Sequence, residues 1–301
     1  MEDNKLFSSR EFSLLSRGYS REDIFRIKNF SKEEVANIFK LIVSRITKGC
    51  EKCSTPKCIF IGGQPGCGKT TYSMLYNNKH DNKYVEICID NYRMYHPHYL
   101  EIEDIIRKHW VGRIETENDT PGNDIADFTH SFAGMMSDLL TDELSKTDNG
   151  IGYNILLEWG MRTPEGPLQS MKQFKDKGYN VEVIFLGVNK EISLSACKLR
   201  ADIMKNGKHI IRKVPNDFHE LCIKTLPDSC NTIYTEGYIA NNYIDNMKIV
   251  LRNGTELWNG NYNCFPGQVL SESINSDKYI DINDEDISYD IFNSESIGLI
   301  K

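Results

Sequence analysis

No apolar run in these 301 residues approaches the roughly 20 that a membrane-spanning helix needs, which excludes a helical membrane protein. Nor does the N-terminus, MEDNKLFSSREF, offer the apolar core of a signal peptide, so the chain is expected to work in the cytoplasm, away from any membrane. Cysteine is sparse: nine residues fall short of a secreted disulfide scaffold, and reduced thiols are expected. An excess of base is also missing. With 36 Lys+Arg against 43 Asp+Glu the net charge is -7, and residues 271–301 alone carry -6 of it. The remainder is close to neutral and has no global basic field, which argues against nonspecific nucleic-acid binding. Internal repeats and low-complexity blocks are absent as well.

What is present is an alternation of short apolar runs with longer amphipathic stretches, the signature of an α/β fold. CIFI (58–61), VEICI (85–89), NILL (154–157) and VEVIFLGV (181–188) read as strands buried on both faces. Helices are expected over 69–77, 128–144, 164–177 and 193–205, with Pro164 near a start and Gly178 just past an end. Edge strands are expected near 232–234 and 248–251. Residues 1–48 read as a helical extension, in which Ser31 and Glu34 have the spacing of a capping box. The polar stretch TENDTPGND, continuing to Asp127, reads as a surface loop or insertion. The expected organisation is an N-terminal helical extension (1–48), a P-loop domain with a mostly parallel sheet flanked by helices (49–265), and an acidic tail (266–301). That tail reads as a solvated end, with a partner-binding role as the alternative.

The strongest motif is GQPGCGKT, residues Gly63, Gln64, Pro65, Gly66, Cys67, Gly68, Lys69 and Thr70, continuing into Thr71. It matches GxxxxGK[ST] directly after a strand pattern and directly before a helical one. Its glycines allow successive backbone N–H groups to converge on phosphate, and the helix N-terminus adds partial positive charge. Lys69 then reaches the β and γ phosphates, and the Thr70 hydroxyl suits Mg²⁺. Cys67 fills a small position in the loop or is redox-sensitive beside Lys69.

Three further groups stand where ligands gather in open α/β sheets. Asp90 follows the second strand pattern, as a base for an acceptor hydroxyl, a carboxylate behind Mg²⁺, or a helix cap; Arg93 contacts phosphate or pairs with Asp90. Glu158 ends the third pattern, with Arg162 four residues on, and either holds acceptor hydroxyls or Mg²⁺-bound water or is structural. Arg200 and Arg212 flank KNGKH and form either a clamp on a transferring phosphoryl group or a solvated basic face. Tyr92, Tyr95 and Tyr99 read as core rather than a stacking platform, and His109, His130, His209 and His219 as surface or supporting residues. Cys50, Cys53 and Cys58 lack a nearby fourth ligand for zinc.

Taken together, GGQPGCGKTT, DNYRMYHPHYLE, DFTHSFAGMM, GYNILLEWGMRT, KDKGYNVEV and RKVP, in this order over residues 59–226, resemble the zeta toxins, the kinase half of epsilon/zeta-type toxin–antitoxin systems. The resemblance implies phosphorylation of the 3′ hydroxyl of the amino sugar of UDP-N-acetylglucosamine, with ATP and Mg²⁺, poisoning peptidoglycan precursor supply. It also implies Lys69 and Thr70 at ATP and metal, Asp90 as hydroxyl base, Glu158 orienting the sugar, and Arg200 and Arg212 stabilising the transition state. Thr129 would touch the nucleotide-sugar, Arg162 matches the arginine after the family's EGT, and His96 and Pro97 would shape the acceptor pocket. The N-terminal helix would be the place where an antitoxin binds. Trp159 departs from the glycine usual after the acid, and with the 116–127 stretch it leaves NAD, another nucleotide or an antibiotic open as acceptor. A nucleotide-dependent switch is the remaining class, although no NKxD string follows the loop to specify guanine.

Overall fold

The computed structural model describes residues 7–81, 83–204, 210, 212–260 and 264–277, of which 201–204 are described by backbone alone. The expected acidic tail beyond Asp277, and His209, lie outside these. The chain divides into two compact units, one formed by 1–46, 88–142 and 198–217, the other by 47–87, 143–197 and 218–301.

The larger unit is built on a sheet of seven strands: β1 (Lys52–Cys53), β2 (Lys57–Gly62), β3 (Tyr84–Cys88), β4 (Gly152–Glu158), β5 (Asn180–Leu186), β6 (Asn246–Val250) and β7 (Glu256–Trp258). β2 runs parallel to both β4 and β5, and β5 parallel to β6. β1 and β7 are antiparallel additions, to β4 and β6, and β3 also pairs β4. The central strands are continuous apolar runs because both faces are covered: Cys58 to Ile61 and Val183 to Leu186 are fully buried. Ile59, Ile61, Leu156, Ile184 and Leu186 share one cluster with Tyr72 and Tyr84. The helix following β2 runs over Lys69–Lys79 and the one following β4 over Glu165–Asp176, the latter with Pro164 at its N-cap and Gly178 at φ +86° just past its end. The parallel strands direct the carboxyl ends of β2 and β4 to one edge, and there lie the phosphate loop and Glu158.

Two expectations change in this unit. Residues 232–234 are helical, at the junction of the helix Asn216–Thr232 and a π-helical segment over Ile233–Ala240. The run near 248–251 forms β6, which lies between β5 and β7 rather than at an edge. A final helix, Pro266–Asn275, opens the acidic end and buries Leu270, Ser273 and Ile274. Gly267 packs against the helix Asn216–Thr232, where a Cβ would come within 2.2 Å of the Pro227 carbonyl oxygen.

The smaller unit is helical. Its N-terminal helices span Ser9–Ser16, Arg21–Lys28 and Lys32–Ile46, and Tyr99–His109 follows later in the chain. The expected capping box is formed: the Ser31 N–H donates to Glu34 Oε2 at 2.7 Å and the Glu34 N–H to Ser31 Oγ at 3.1 Å. A second box joins Ser8 and Glu11. Leu14, Ile24, Ile27, Ile102, Ile106, Ile125 and Phe128 make one buried cluster, the spacing of Ile102 and Ile106 placing both on one helix face. The polar stretch before residue 128 is not a loop throughout. A 24-residue helix begins at Pro121 and ends at Leu144, and Asn123 and Asp124 are buried. Its first turn is recruited because Asp124 anchors the N-terminal helices: Tyr19 Oη and Trp110 Nε1 donate to its carboxylate at 2.5 and 2.6 Å, and Arg17 pairs with it at 3.0 Å. Local polarity is outweighed by buried, charge-assisted partners. Tyr92 and Tyr99 are core residues, as expected.

Asp124→Ala leaves the buried Tyr19 hydroxyl and the Trp110 N–H without their acceptor and Arg17 with Asp127 as its remaining carboxylate, and is expected to destabilise the protein by about 2–4 kcal/mol. Loss of N-terminal protection in hydrogen exchange, with a lowered melting temperature by circular dichroism, is the measurement; an unchanged melting temperature would remove this anchor.

Candidate active site

The phosphate loop owes its shape to backbone that only glycine adopts readily. Gly66 and Gly68 sit at φ +76° and +92°, in the left-handed region, and Gly68 caps the helix Lys69–Lys79. There is also no room for a side chain at Gly66, where a Cβ would lie 2.0 Å from the Ser193 carbonyl oxygen. Such backbone turns the N–H groups of the loop toward one concavity, a seat for phosphate at a helix N-terminus. Lys69 folds over the loop, its Nζ donating to the Gly63 and Gln64 carbonyls at 2.8 and 3.0 Å. Thr70 Oγ1 donates to Glu158 Oε2 at 2.9 Å, so the hydroxyl and the carboxylate from two different elements meet. These are the hard oxygen donors that Mg²⁺ prefers, and the pair fits that ion.

The Gln64 side chain takes no part on the open side of the loop. It is fully buried, and Nε2 donates to the Val188 carbonyl at 2.6 Å and approaches Ser193 Oγ at 3.4 Å. Ser193 Oγ lies 2.9 Å from His219 Nε2. His219 is therefore buried behind the loop rather than at the surface, and burial lowers its pKa, which leaves the ring neutral at pH 7. Cys67 is buried with its sulfur 3.8 Å from Lys69 Nζ. Arg162, half-buried, and Trp159 belong to the segment between Glu158 and the helix Glu165–Asp176; the indole lies over Gly166, where a Cβ would meet Trp159 Cζ2 at 3.3 Å.

In the helical unit the remaining candidates also converge. Asp90 lies in a 3-10 turn, Ile89–Tyr95, directly after β3, which brings Arg93 back to it one turn later. Arg93 Nε donates to Asp90 Oδ1 at 2.9 Å, and Arg212 Nη1 donates to the other oxygen, Oδ2. Arg93 is buried and also donates through Nη1 to the Ala126 carbonyl at 2.8 Å and to Thr129 Oγ1 at 3.2 Å. Thr129 is fully buried, its hydroxyl donating to Ile125 O at 2.6 Å. Burial by itself would raise the Asp90 carboxyl, but the charges of Arg212 and Arg93, the Arg93 hydrogen bond and the more distant Arg200 reverse this and hold it well below the usual carboxylate range. The Asp90 side chain keeps 39% of its surface exposed, so water tempers the attraction. His130 feels the same positive field: burial first, then Arg10, Arg93 and Arg212, push its pKa down to about 4. The sequence motifs did not indicate Arg10; it comes from the first helix and pairs with Asp127 at 2.7 Å. His96 is buried as well.

The predicted residues thus form two sets, each within one unit: residues 63–71 with Glu158 and Arg162, and Asp90 with Arg93, Thr129, Arg200 and Arg212. Ser193 and Arg252, which support the loop from behind, were missed because nothing in their local spacing marks them; His219, read as a surface or supporting residue, takes the supporting role. A mostly parallel sheet of this order carrying this loop defines a P-loop protein of the α/β class. The family model for the zeta toxin matches residues 42–263, and the chain belongs to that family. It is 26% identical over 204 residues to toxin PezT of Streptococcus pneumoniae, covering 67% of this chain and 73% of PezT. To toxin zeta of Streptococcus pyogenes it is 22% identical over 252 residues, 83% and 79% of the two chains. A solved chain of the PezAT toxin–antitoxin system of S. pneumoniae shares the fold with a TM-score of 0.69 and 22% identity, over 89% of this chain and 97% of that one. A chain of the AvrRxo1-ORF1:-ORF2 complex aligns with a TM-score of 0.50 and 17% identity, over 86% and 78%. Among the described residues no helix is long and apolar enough to cross a membrane.

Because the folded-state pKa of Asp90 is depressed, its ion pairs stabilise the protein above the unfolded value of about 3.9, and that contribution fades as pH falls below it. Asp90→Asn is expected to lower the denaturant midpoint at pH 7 and to differ less from the parent at pH 3. A gap independent of pH would contradict the ion-pair origin.

Proposed function

We propose that this protein is an ATP- and Mg²⁺-dependent kinase that phosphorylates the 3′ hydroxyl of the amino sugar of UDP-N-acetylglucosamine and so diverts peptidoglycan precursor. The observation that carries the reading is Asp90 held between Arg93 and Arg212: a carboxylate for an alcohol and guanidiniums for a phosphoryl group, in one cluster. Membership of the zeta toxin family and the phosphate loop support it. A nucleotide switch has no need of this cluster.

In this reading the loop amides and Lys69 bind the triphosphate, and Thr70 with Glu158 would hold Mg²⁺, which supplies charge neutralisation at the phosphates. Glu158 and Thr129 orient the sugar nucleotide, Arg162 adds a positive charge on the acceptor side, and Asp90 receives the hydroxyl proton. A carboxylate this acidic is a weak base while Arg212 is paired with it. Movement of Arg212 and Arg200 onto the equatorial phosphoryl oxygens would restore part of its basicity when the hydroxyl is in line. In a loose transition state little proton transfer is needed early, so orienting the hydroxyl is the larger part of Asp90's task.

A second acceptor is favoured by one observation, a bulky, partly exposed Trp159 as the next residue after Glu158, its indole over Gly166. NAD, another nucleotide or an antibiotic then replaces the sugar nucleotide with the chemistry unchanged. An antitoxin is the expected protein partner, by analogy with the PezAT system, at the N-terminal helices, where Phe12, Phe25 and Leu41 are exposed. The cytoplasm, which holds ATP and sugar nucleotides, is the expected setting.

Purified protein with ATP, Mg²⁺ and a panel of UDP-sugars, NAD and nucleotides is expected to yield a phosphorylated UDP-N-acetylglucosamine by mass spectrometry. Phosphate on another member alone would reassign the acceptor, and none on any member would reject the kinase. Asp90→Ala is expected to keep ATP affinity within about threefold and to lose 10²–10⁴-fold in kcat, the usual contribution of a general base. Lys69→Ala is expected to weaken ATP binding and abolish turnover in the same assay.

A further inference from the structure

The carbonyl groups of the phosphate loop need partners as much as its amides do. Where Gly66 and Gly68 take left-handed backbone, N–H groups gather on one side and the carbonyls between them turn to the other, into the protein. Arg252 stands there. It follows β6 by two residues and is 4% exposed. Its Nε donates to the Cys67 carbonyl at 3.0 Å and its Nη2 to the Gly66 carbonyl at 2.5 Å. The stem lies flat on the back of the loop, so that a Cβ at Gly68 would come within 2.9 Å of Nε and 3.2 Å of Cδ.

We infer that Arg252 is a positioning residue for triphosphate binding: its guanidinium locks the Gly66 and Cys67 carbonyls inward and so keeps the loop amides aimed at phosphate. Three features of the side chain suit this. The planar fork spans two consecutive carbonyls, which a lysine ammonium does with poorer geometry. Both bonds come from a cationic donor, which makes them stronger than bonds between neutral groups. It also places a fixed positive charge behind peptide dipoles already directed at an anion, and in a water-poor interior that attraction is weakly screened. Flipping either peptide would cost its hydrogen bond to the guanidinium and present a carbonyl oxygen to the phosphates. The inference rests on the triphosphate reading of the loop, but the loop geometry it concerns exists without nucleotide.

Two measurements on the full chain separate the inference from that reading. In hydrogen exchange without nucleotide, Arg252→Gln is expected to speed exchange of the 63–70 amides about tenfold or more, the loss that one or two hydrogen bonds to a charged group produces, with the 180–186 strand unchanged. In calorimetry with MgATP the same variant is expected to raise Kd about tenfold or more, and in the kinase assay to raise KM for ATP with little change in KM for the acceptor. Arg252→Lys, which keeps the charge and guards against a variant that fails to fold, is expected to recover part of both effects. Loop exchange unchanged in Arg252→Gln, or increased equally throughout the sheet, would overturn the inference whether or not ATP binds. Absence of MgATP binding by the parent protein would sink the triphosphate reading, and loop exchange would still decide the role of Arg252.

Discussion

The structure depends on a stretch of backbone held where most residues resist going. Two glycines in left-handed conformation let the loop at the end of β2 turn its amides to one side, and each needs something behind it. Gly66 is pressed against the Ser193 carbonyl and Gly68 against Arg252, so the loop is set by close contact as well as by its own torsions. Gln64 and Ser193 extend that support into the interior, and a neutral His219 completes it without burying an unpaired charge. The rest of the sheet is the frame that brings residues from three distant stretches of chain, at Ser193, His219 and Arg252, to the back of one turn.

Charge is handled differently in the helical unit. There a carboxylate is surrounded by guanidiniums from its own turn and from a segment far along the chain, and His130 is kept neutral by burial first and then by the positive field of Arg10, Arg93 and Arg212. Such a cluster holds several cations around one anion, an arrangement that spreads readily onto incoming phosphate. The same unit holds its N-terminal helices through Asp124, a buried acid whose partners are a phenol, an indole and a guanidinium. One acid serves architecture and the other stands where chemistry is proposed. What separates them is solvent access: Asp124 is closed off, whereas Asp90 keeps an open face.

Much of this was legible in the linear chain. The four apolar runs became strands, the capping box at Ser31 and the helix end at Gly178 formed as their local chemistry requires, and GQPGCGKT lies between strand and helix. Where local reading failed, a distant partner prevailed. Pro121 to Asp127 has the composition of a loop, but Asp124 finds donors just past the ends of other helices, in Arg17, Tyr19 and Trp110, and the first turn winds around it. Thr232 to Tyr234 has β-branched and aromatic residues, yet continues a helix into a π-helical segment, because helix Asn216–Thr232 packs against Gly267 and has no strand partner to join among the described residues. His219 carries no motif and is recognisable only by what encloses it.

The amino-acid order by itself determined the strand and helix pattern, the phosphate loop and the identity of the acids at the strand ends, because each follows from periodicity or from the torsional freedom of a few neighbouring residues. It also carried enough family motifs to indicate a zeta toxin. The pairing of Asp90 with Arg212, the meeting of Thr70 with Glu158 and the bracing of the loop by Arg252 were decided by tertiary structure alone. Each joins groups far apart along the chain, and such contacts exist only after the sheet order and helix packing have set where the strands end.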